Sequence, residues 1–427
     1  MPDPSSGSWS GSWPGSLVDR LPSDGGRRTL VLVVLAAALV AVIGVVALWP
    51  RGPAPDLGAQ PSTFVDATVR SLRTETCPAV EVNAPTQCRR YEVGITSGPN
   101  AGTTGEFIVR DIDFGVPDLE IGARVVLLDV ATSPAPYRFT YADRQRSSSL
   151  WFLATFFVIV VVAFGRWQGI RALAGLAASA LVIAAFIVPA LLRDGPSLWI
   201  ALCGTVLIAF LALYVAHGVN MATTVALAGT LVSLAIITVV AVIIAGTAQL
   251  SGFADDEGSV LRVTASALDL RGLLVAGIVI GALGVLDDVT VTQVSTVAAL
   301  RRASPDASRE YLYREAVRVG RDHVASTVNT LVLAYAGASL PLVLLFAQGS
   351  APTGRVITSE IVAVELVRML VGSIGLVMSV PITTMLAATI LTAQDAEHAH
   401  GHGHAHGAEG HDHGELPARW EDFGPKE

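Results

Sequence analysis

Hydrophobic positions in this chain fall into long unbroken runs, not into the alternating or 3.6-residue patterns of elements that bury one face. Eight stretches are apolar enough to cross a bilayer core of about 30 Å. They are Leu30–Trp49, Leu150–Phe164, Ala172–Leu192, Leu198–Ala216, Met221–Leu250, Gly272–Leu300, Val324–Ala347 and Ile361–Leu391. A different pattern fills the gap between the first two. Tyr91–Thr96, Glu106–Ile112 and Ala123–Asp129 are alternating or β-branched runs, separated by turn clusters such as Ser97-Gly98-Pro99-Asn100. The expected fold is an α-helical polytopic membrane protein of about eight transmembrane helices, with a small extracytoplasmic β domain for which a barrel is one form.

Composition agrees with that class. Of 427 residues, 52% are hydrophobic and 15% charged, and the mean hydropathy of +0.57 is too high for an ordinary soluble domain. Arginines set the orientation, since Lys426 is the single lysine. Arg27 and Arg28 precede the first run, Arg166 and Arg171 join the second to the third, and Arg301, Arg302, Arg309, Arg314, Arg318 and Arg321 follow the sixth. Positive-inside bias makes these segments cytoplasmic, together with both termini. The chain then divides into a disordered cytoplasmic segment (1–29), an uncleaved anchor (30–49), the β domain (51–146), a core of about seven helices (150–392) and a histidine-rich tail (393–427). Cys77 and Cys88 fall in the outer domain, where an oxidising compartment permits a disulfide between them.

Candidate chemistry lies in the last three runs. Asp287 and Asp288 interrupt the sixth, and a carboxylate at the centre of a bilayer costs from about 2.5 to more than 10 kcal/mol. At about 1.5 Å per residue Asp288 falls about 24 Å from Gly272, toward the cytoplasmic third of the core. Helical spacing puts Gly277, Gly281, Gly284, Asp288, Thr292 and Ser295 on one stripe, which predicts a face covered by another helix backbone at the glycines. Asp287, Thr290 and Gln293 lie beside that stripe. In the seventh run Asn329 is the most polar residue. The eighth carries Glu365 and Arg368, which can pair at i, i+3, followed by Gly372, Gly375, Ser379, Pro381 and Thr383. Asp287, Asp288, Thr292, Gln293, Asn329, Glu365 and Arg368 are therefore the candidate binding or transport residues.

The strings GALGVLDDVTVTQVS (281–295), NTLVLAYAGASLPLVLLF (329–346) and EIVAVELVRMLVGSIGLVMSVPIT (360–383), in that order, resemble the YibE/F family of bacterial multi-pass membrane proteins. The resemblance covers about 150–391. It implies that Asp287 and Asp288 are the family's paired aspartates, Asn329 its amide in the next helix, and Glu365 with Arg368 its charged pair. It also implies a bacterial cell membrane location, and suggests a permease without naming a substrate.

The tail carries His398, His400, His402, His404, His406, His411 and His413, interleaved with Gly and Ala. Neutral imidazoles on such a backbone can take Zn²⁺, Ni²⁺ or Cu²⁺ with little selectivity. No other cofactor is called for. Neither H-E-x-x-H nor G-x-S-x-G occurs, and Leu286 stands immediately before Asp287 where an intramembrane protease of the G-x-G-D kind has glycine. The expectation is a non-enzymatic permease of unnamed substrate, to which cation or proton coupling is suited because desolvation favours a protonatable carboxylate. The alternative is a scaffold or sensor whose outer domain binds a protein partner. The lipid bilayer and a homo-oligomer are the other expected partners; nothing calls for nucleic acid.

Overall fold

The computed structural model describes residues 23–52, 62–76, 87–110, 113, 115–133, 137–193, 195–252, 269–348 and 353–401. Strands β1 (Ser62–Thr76), β2 (Gln87–Ile95), β3 (Thr104–Arg110), β4 (Arg124–Val130) and β5 (Phe139–Arg144) form one antiparallel sheet in the order β3-β2-β1-β4-β5. The long β1 pairs with β2 along one edge and β4 along the other, with a bulge at Val69/Ser71 that lets it bend. Period-two burial gives the sheet a single core face of Val65, Ala67, Val69, Tyr91, Val93, Phe107, Val125 and Leu127.

The sheet curls until its edge strands meet. A Cβ on Gly105 of β3 would lie 2.8 Å from the Phe139 ring of β5, and the Phe107 and Tyr141 rings are 6.3 Å apart. Among the described residues β3 and β5 share no ladder, so the barrel considered from sequence is not closed. Asp129, nearly buried, accepts from Arg138 at 2.8 Å and from Asn100 at 2.9 Å. The Arg138 guanidinium, ahead of the opposing effect of burial, holds the Asp129 carboxyl below its usual range.

The helices are α1 (Ser23–Ala47), α2 (Ser147–Val182), α3 (Val188–Leu191), α4 (Ser197–His217), α5 (Met221–Thr247), α6 (Leu270–Ala303), α7 (Arg309–Ala338), α8 (Leu340–Gln348), α9 (Thr353–Ile357) and α10 (Glu360–Gly401). A π-helical turn, Ile183–Ile187, joins α2 to α3. Polar side chains cap several starts: Asn220 accepts from Thr223 N at 2.9 Å, Asp269 from Gly272 N at 3.0 Å and Ser308 from Tyr311 N at 3.2 Å.

By length and composition six helices among the described residues could cross a membrane, or seven if α7 and α8, bent by 62°, count as one span. This is fewer than the eight expected, and the difference lies in two places. The second and third expected crossings fall within a single 45-residue candidate, Ser147–Leu191. The seventh is the bent α7–α8 pair. Inside Ser147–Leu191, however, Arg166 has φ 49° and ψ −128°, and a Cβ on Gly169 would run into the carbonyl of Val161. Residues eight apart on a straight helix are about 12 Å apart along the axis, so the chain doubles back at Arg166.

Past that reversal α2 runs antiparallel to α4. Arg171 Nε donates to Val215 O at 2.9 Å, and Gly175 packs on Ala212. The part before it, residues 147–160, is exposed throughout, including Trp151 and Phe152. The apolar core joins α4, α5 and α6 through Ile200, Ile208, Leu213, Val225, Leu227, Leu283 and Val297. A second cluster, Ile237, Leu274, Ile278, Leu286 and Val371, ties α5 and α6 to α10. Gly375 makes that packing close, since a side chain there would collide with Ile237.

Candidate functional site

Helix α6 carries the aspartates. It begins with Leu270, beside Arg271, and ends near Arg301 and Arg302. Asp287 lies about 24 Å along the axis from Arg271 and about 21 Å from Arg301, so the acidic pair sits at mid-height of the helix.

The bulky side chains decide which way the helix faces. Leu274, Ile278, Val279, Leu283, Leu286 and Val289 are buried against α4, α5 and α10, which turns the small-residue stripe outward. Gly277, Gly281, Gly284, Asp288 and Ser295 are all exposed. Nothing comes within 4 Å of a Cβ on Gly277 or Gly284, and only Tyr335 Oη, at 3.7 Å, approaches Gly281. The expected close approach of a second backbone at the glycines is therefore not found among the described residues.

The two aspartates face different surroundings. Asp288 leaves 69% of its side chain exposed, with His323 Nε2 of α7 at 3.7 Å. Asp287 turns inward, and its Oδ1 is buried without a hydrogen-bond partner. Beside it Thr230 of α5 and Thr290 of α6, both fully buried, bring their hydroxyl oxygens to 2.8 Å. One turn further, fully buried Gln293 accepts from Thr384 Oγ1 of α10 at 2.9 Å, while its Nε2 has no partner. Gly320 of α7 admits that amide, since a Cβ there would lie 2.6 Å from Gln293 Nε2 and equally close to Val380 Cγ1.

Helix α7 runs antiparallel to α6 and α10. Gly281 lies beside Tyr335, Gln293 beside Gly320, and a Cβ on Gly372 of α10 would lie 3.7 Å from Leu331. Toward the start of α10 the half-buried Glu365 and Arg368 form an ion pair of 2.7 Å, and Tyr335 lies within electrostatic reach of both. Glu360 has a different task. One of its carboxylate oxygens accepts from Ser251 N at 2.5 Å, Ser251 Oγ at 2.7 Å and Gly252 N at 3.0 Å, which ties the start of α10 to the turn after α5.

Of the residues singled out from sequence, Asp287 and Gln293 are thus in the packed interior, and Thr292 is half-buried beside them. Asp288 opens onto the outer face of α6. Asn329 is exposed on α7 and joins none of these contacts. Thr230 and Thr384 were missed; the signal for Thr230 was its helical spacing with Thr223 and Ser233 on α5, and for Thr384 its place next to Thr383 on α10. In the outer domain Cys88 is disulfide-bonded. Cys77, its expected partner, lies outside the described residues. Cys203 of α4 is free. His398 and His400 lie on the last turns of α10, where only the backbone is described, and His402, His404, His406, His411 and His413 lie outside the described residues.

A family model described as YibE/F-like protein matches residues 153–393. No match is found among curated proteins or among solved structures.

Proposed function

The chain belongs to the YibE/F-like protein family, and from that premise we propose that this multi-pass membrane protein is a permease whose polar path follows α6 where it meets α7 and α10. The observation that supports this most is the divided setting of the two aspartates at mid-height. One carboxylate is enclosed among hydroxyls, while its neighbour opens onto a strip of glycines that leaves room for a solute beside the helix. Carboxylates at that height are too costly to keep unless they are paired, protonated or hydrated, and ion, proton or substrate paths are among the functions that use such groups.

The proposed topology follows from the same residues. Dividing Ser147–Leu191 at Arg166 and counting α7 with α8 as one bent crossing gives eight, which leaves both termini on the cytoplasmic side of a bacterial cell membrane. Arg166 and Arg171 at the reversal and Arg301 and Arg302 at the end of α6 are then cytoplasmic, as positive-inside bias requires. In this arrangement Glu365, Arg368 and Tyr335 flank the path toward the outer side, and Asp288 with His323 flanks it at the middle.

The test is proton flux into proteoliposomes loaded with a pH-sensitive dye, under an imposed potential, for wild type and Asp288→Asn. Dye acidification that the variant abolishes while keeping its expression and melting temperature supports the permease; equal flux in the two would remove it.

A second reading, a scaffold or sensor, is favoured by one feature of the β domain. A 450 Å³ cleft there is lined by Ser71, Arg73, Arg90, Glu92, Glu106, Arg138 and Phe139, mostly charged, which suits a partner of complementary charge. Deleting residues 51–146 separates the two: a permease core keeps some flux, whereas a scaffold loses its phenotype entirely.

A further inference from the structure

Between α5 and α6 there are more hydrogen-bond acceptors than protons to serve them. Thr230 Oγ1 lies 2.8 Å from Thr290 Oγ1, 3.1 Å from the carbonyl of Ala226, and within hydrogen-bonding reach of the Asp287 carboxyl. Thr290 Oγ1 is also 3.2 Å from the backbone carbonyl of Asp287. Each hydroxyl has one proton and two lone pairs. Two protons therefore face two carbonyls, a carboxylate and the contact between the hydroxyls themselves. Every assignment leaves lone pairs turned toward one another, and Asp287 Oδ1 has no donor at all.

Two further hydroxyls lie near this group without a partner, each with a proton and two lone pairs unused. Ser233, one turn along α5 from Thr230, is fully buried and its Oγ has no partner. Thr383 of α10, equally buried and unpartnered, presses its Oγ1 against Gly229, the residue next to Thr230. Such a concentration of buried, unserved oxygens is unfavourable unless a cation, a proton on the carboxylate or an ordered water serves it.

We propose that Asp287, Thr230 and Thr290 form a binding site for a dehydrated monovalent alkali cation of the sodium class, held between α5 and α6. All three ligands are hard oxygens, with no imidazole or thiolate among them, which favours an alkali or alkaline-earth ion over a transition metal. A single carboxylate balances a single positive charge; a divalent ion would leave net charge buried in an apolar surround. The hydroxyls replace the ion's water, as oxygen dipoles do in channel filters. The inference rests on the permease reading for the ion's role as cargo or coupling ion, while binding itself stands apart from flux.

The test is equilibrium binding to the full-length protein in nanodiscs, without a flux measurement. Melting temperature is followed while NaCl, KCl or choline chloride is varied at constant ionic strength and pH, and Na⁺ binding is measured in parallel by calorimetry. Wild type should be stabilised by Na⁺ and not by choline. Thr290→Val and Asp287→Asn should melt in choline as wild type does while half-saturating Na⁺ rises at least about tenfold, roughly one lost ligand, and Thr290→Ser should restore it. If a variant fails to fold, the calorimetric titration of wild type decides alone. Equal responses of wild type to all three salts, or a response to pH only, would overturn the site. Binding as expected without flux would spare this site and remove the permease, whereas flux without sodium binding would do the reverse.

Discussion

Gly229 is where the enclosure of the inner aspartate can be tested through packing. A Cβ at this position would collide with Thr383 Oγ1 and would lie 3.0 Å from both Cβ and Cγ2 of the same threonine. Rotating Thr383 about χ1 does not remove the conflict, because its Cβ, which that rotation leaves in place, stays 3.0 Å from the new methyl. For Gly229→Ala the two helices must therefore separate by a few tenths of an ångström. Overpacking of this kind costs about 1–3 kcal/mol. Replacing glycine by alanine inside a helix returns about 1 kcal/mol, so the net expected change runs from about zero to a loss of about 2 kcal/mol. Unfolding in mixed micelles titrated with SDS measures it. Thr383→Ala removes the two outer atoms and should recover much of the loss, with a coupling energy of about 1 kcal/mol in the double-mutant cycle. A stabilising Gly229→Ala, or strict additivity with Thr383→Ala, would refute the α5–α10 contact and with it the enclosure of Thr230.

Other outcomes follow from the same geometry. Gln293→Leu removes a buried amide N–H with no partner, worth about 1–3 kcal/mol, and gives up one hydrogen bond of about 1 kcal/mol; SDS titration should find the variant as stable as wild type or more so, and a loss above about 1 kcal/mol would mean that the amide is satisfied. Glu365→Gln alone should destabilise more than Glu365→Gln with Arg368→Met, by about 1–3 kcal/mol, because the single change strands a half-buried guanidinium; equal losses would show a solvated pair. In the β domain the depressed Asp129 pKa contributes stability that is fully present above the unfolded value of about 3.9 and is lost as pH falls through the folded value. Melting curves of the intact protein below about pH 4 should therefore fall more steeply for wild type than for Asp129→Asn; parallel curves would contradict the Arg138 pairing.

How far the sequence reaches can be judged residue by residue. Length and apolarity located nearly every helix, because a run of about twenty apolar residues has few other uses. In the sheet the three expected strands overlap β2, β3 and β4. The longest strand, β1, was not singled out although Val65, Ala67 and Val69 alternate with Asp66, Thr68 and Arg70 in the period of a half-buried strand, and in the short edge strand β5 Asp143 cuts off the alternation begun by Phe139 and Tyr141. Helical spacing found the small-residue stripe of α6, yet spacing says only which residues share a face. Which face is covered depends on the partners, and here Ile278, Leu283 and Leu286 outcompete the glycines for the interior. That is why Asp287, set beside the stripe, is the enclosed aspartate, and why Asp288, on it, is not. Thr230 is masked for a related reason: it recurs at helical spacing with Thr223 and Ser233, but a threonine in an apolar helix commonly bonds its own i−4 carbonyl, as Thr230 also does, so the run of hydroxyls reads as ordinary helix.

If α6 lines a path, water reaches its outer face at mid-height in the membrane. Single cysteines at 277, 281, 284, 288 and 295, in a background with Cys203 replaced, can be probed in intact membranes with a membrane-impermeant maleimide, with positions 286 and 289 as buried controls. The account predicts that the cysteines at 284 and 288 react while those at 286 and 289 do not. Protection at 284 and 288 from both sides of the membrane would show a face sealed by lipid or protein, and would contradict the path.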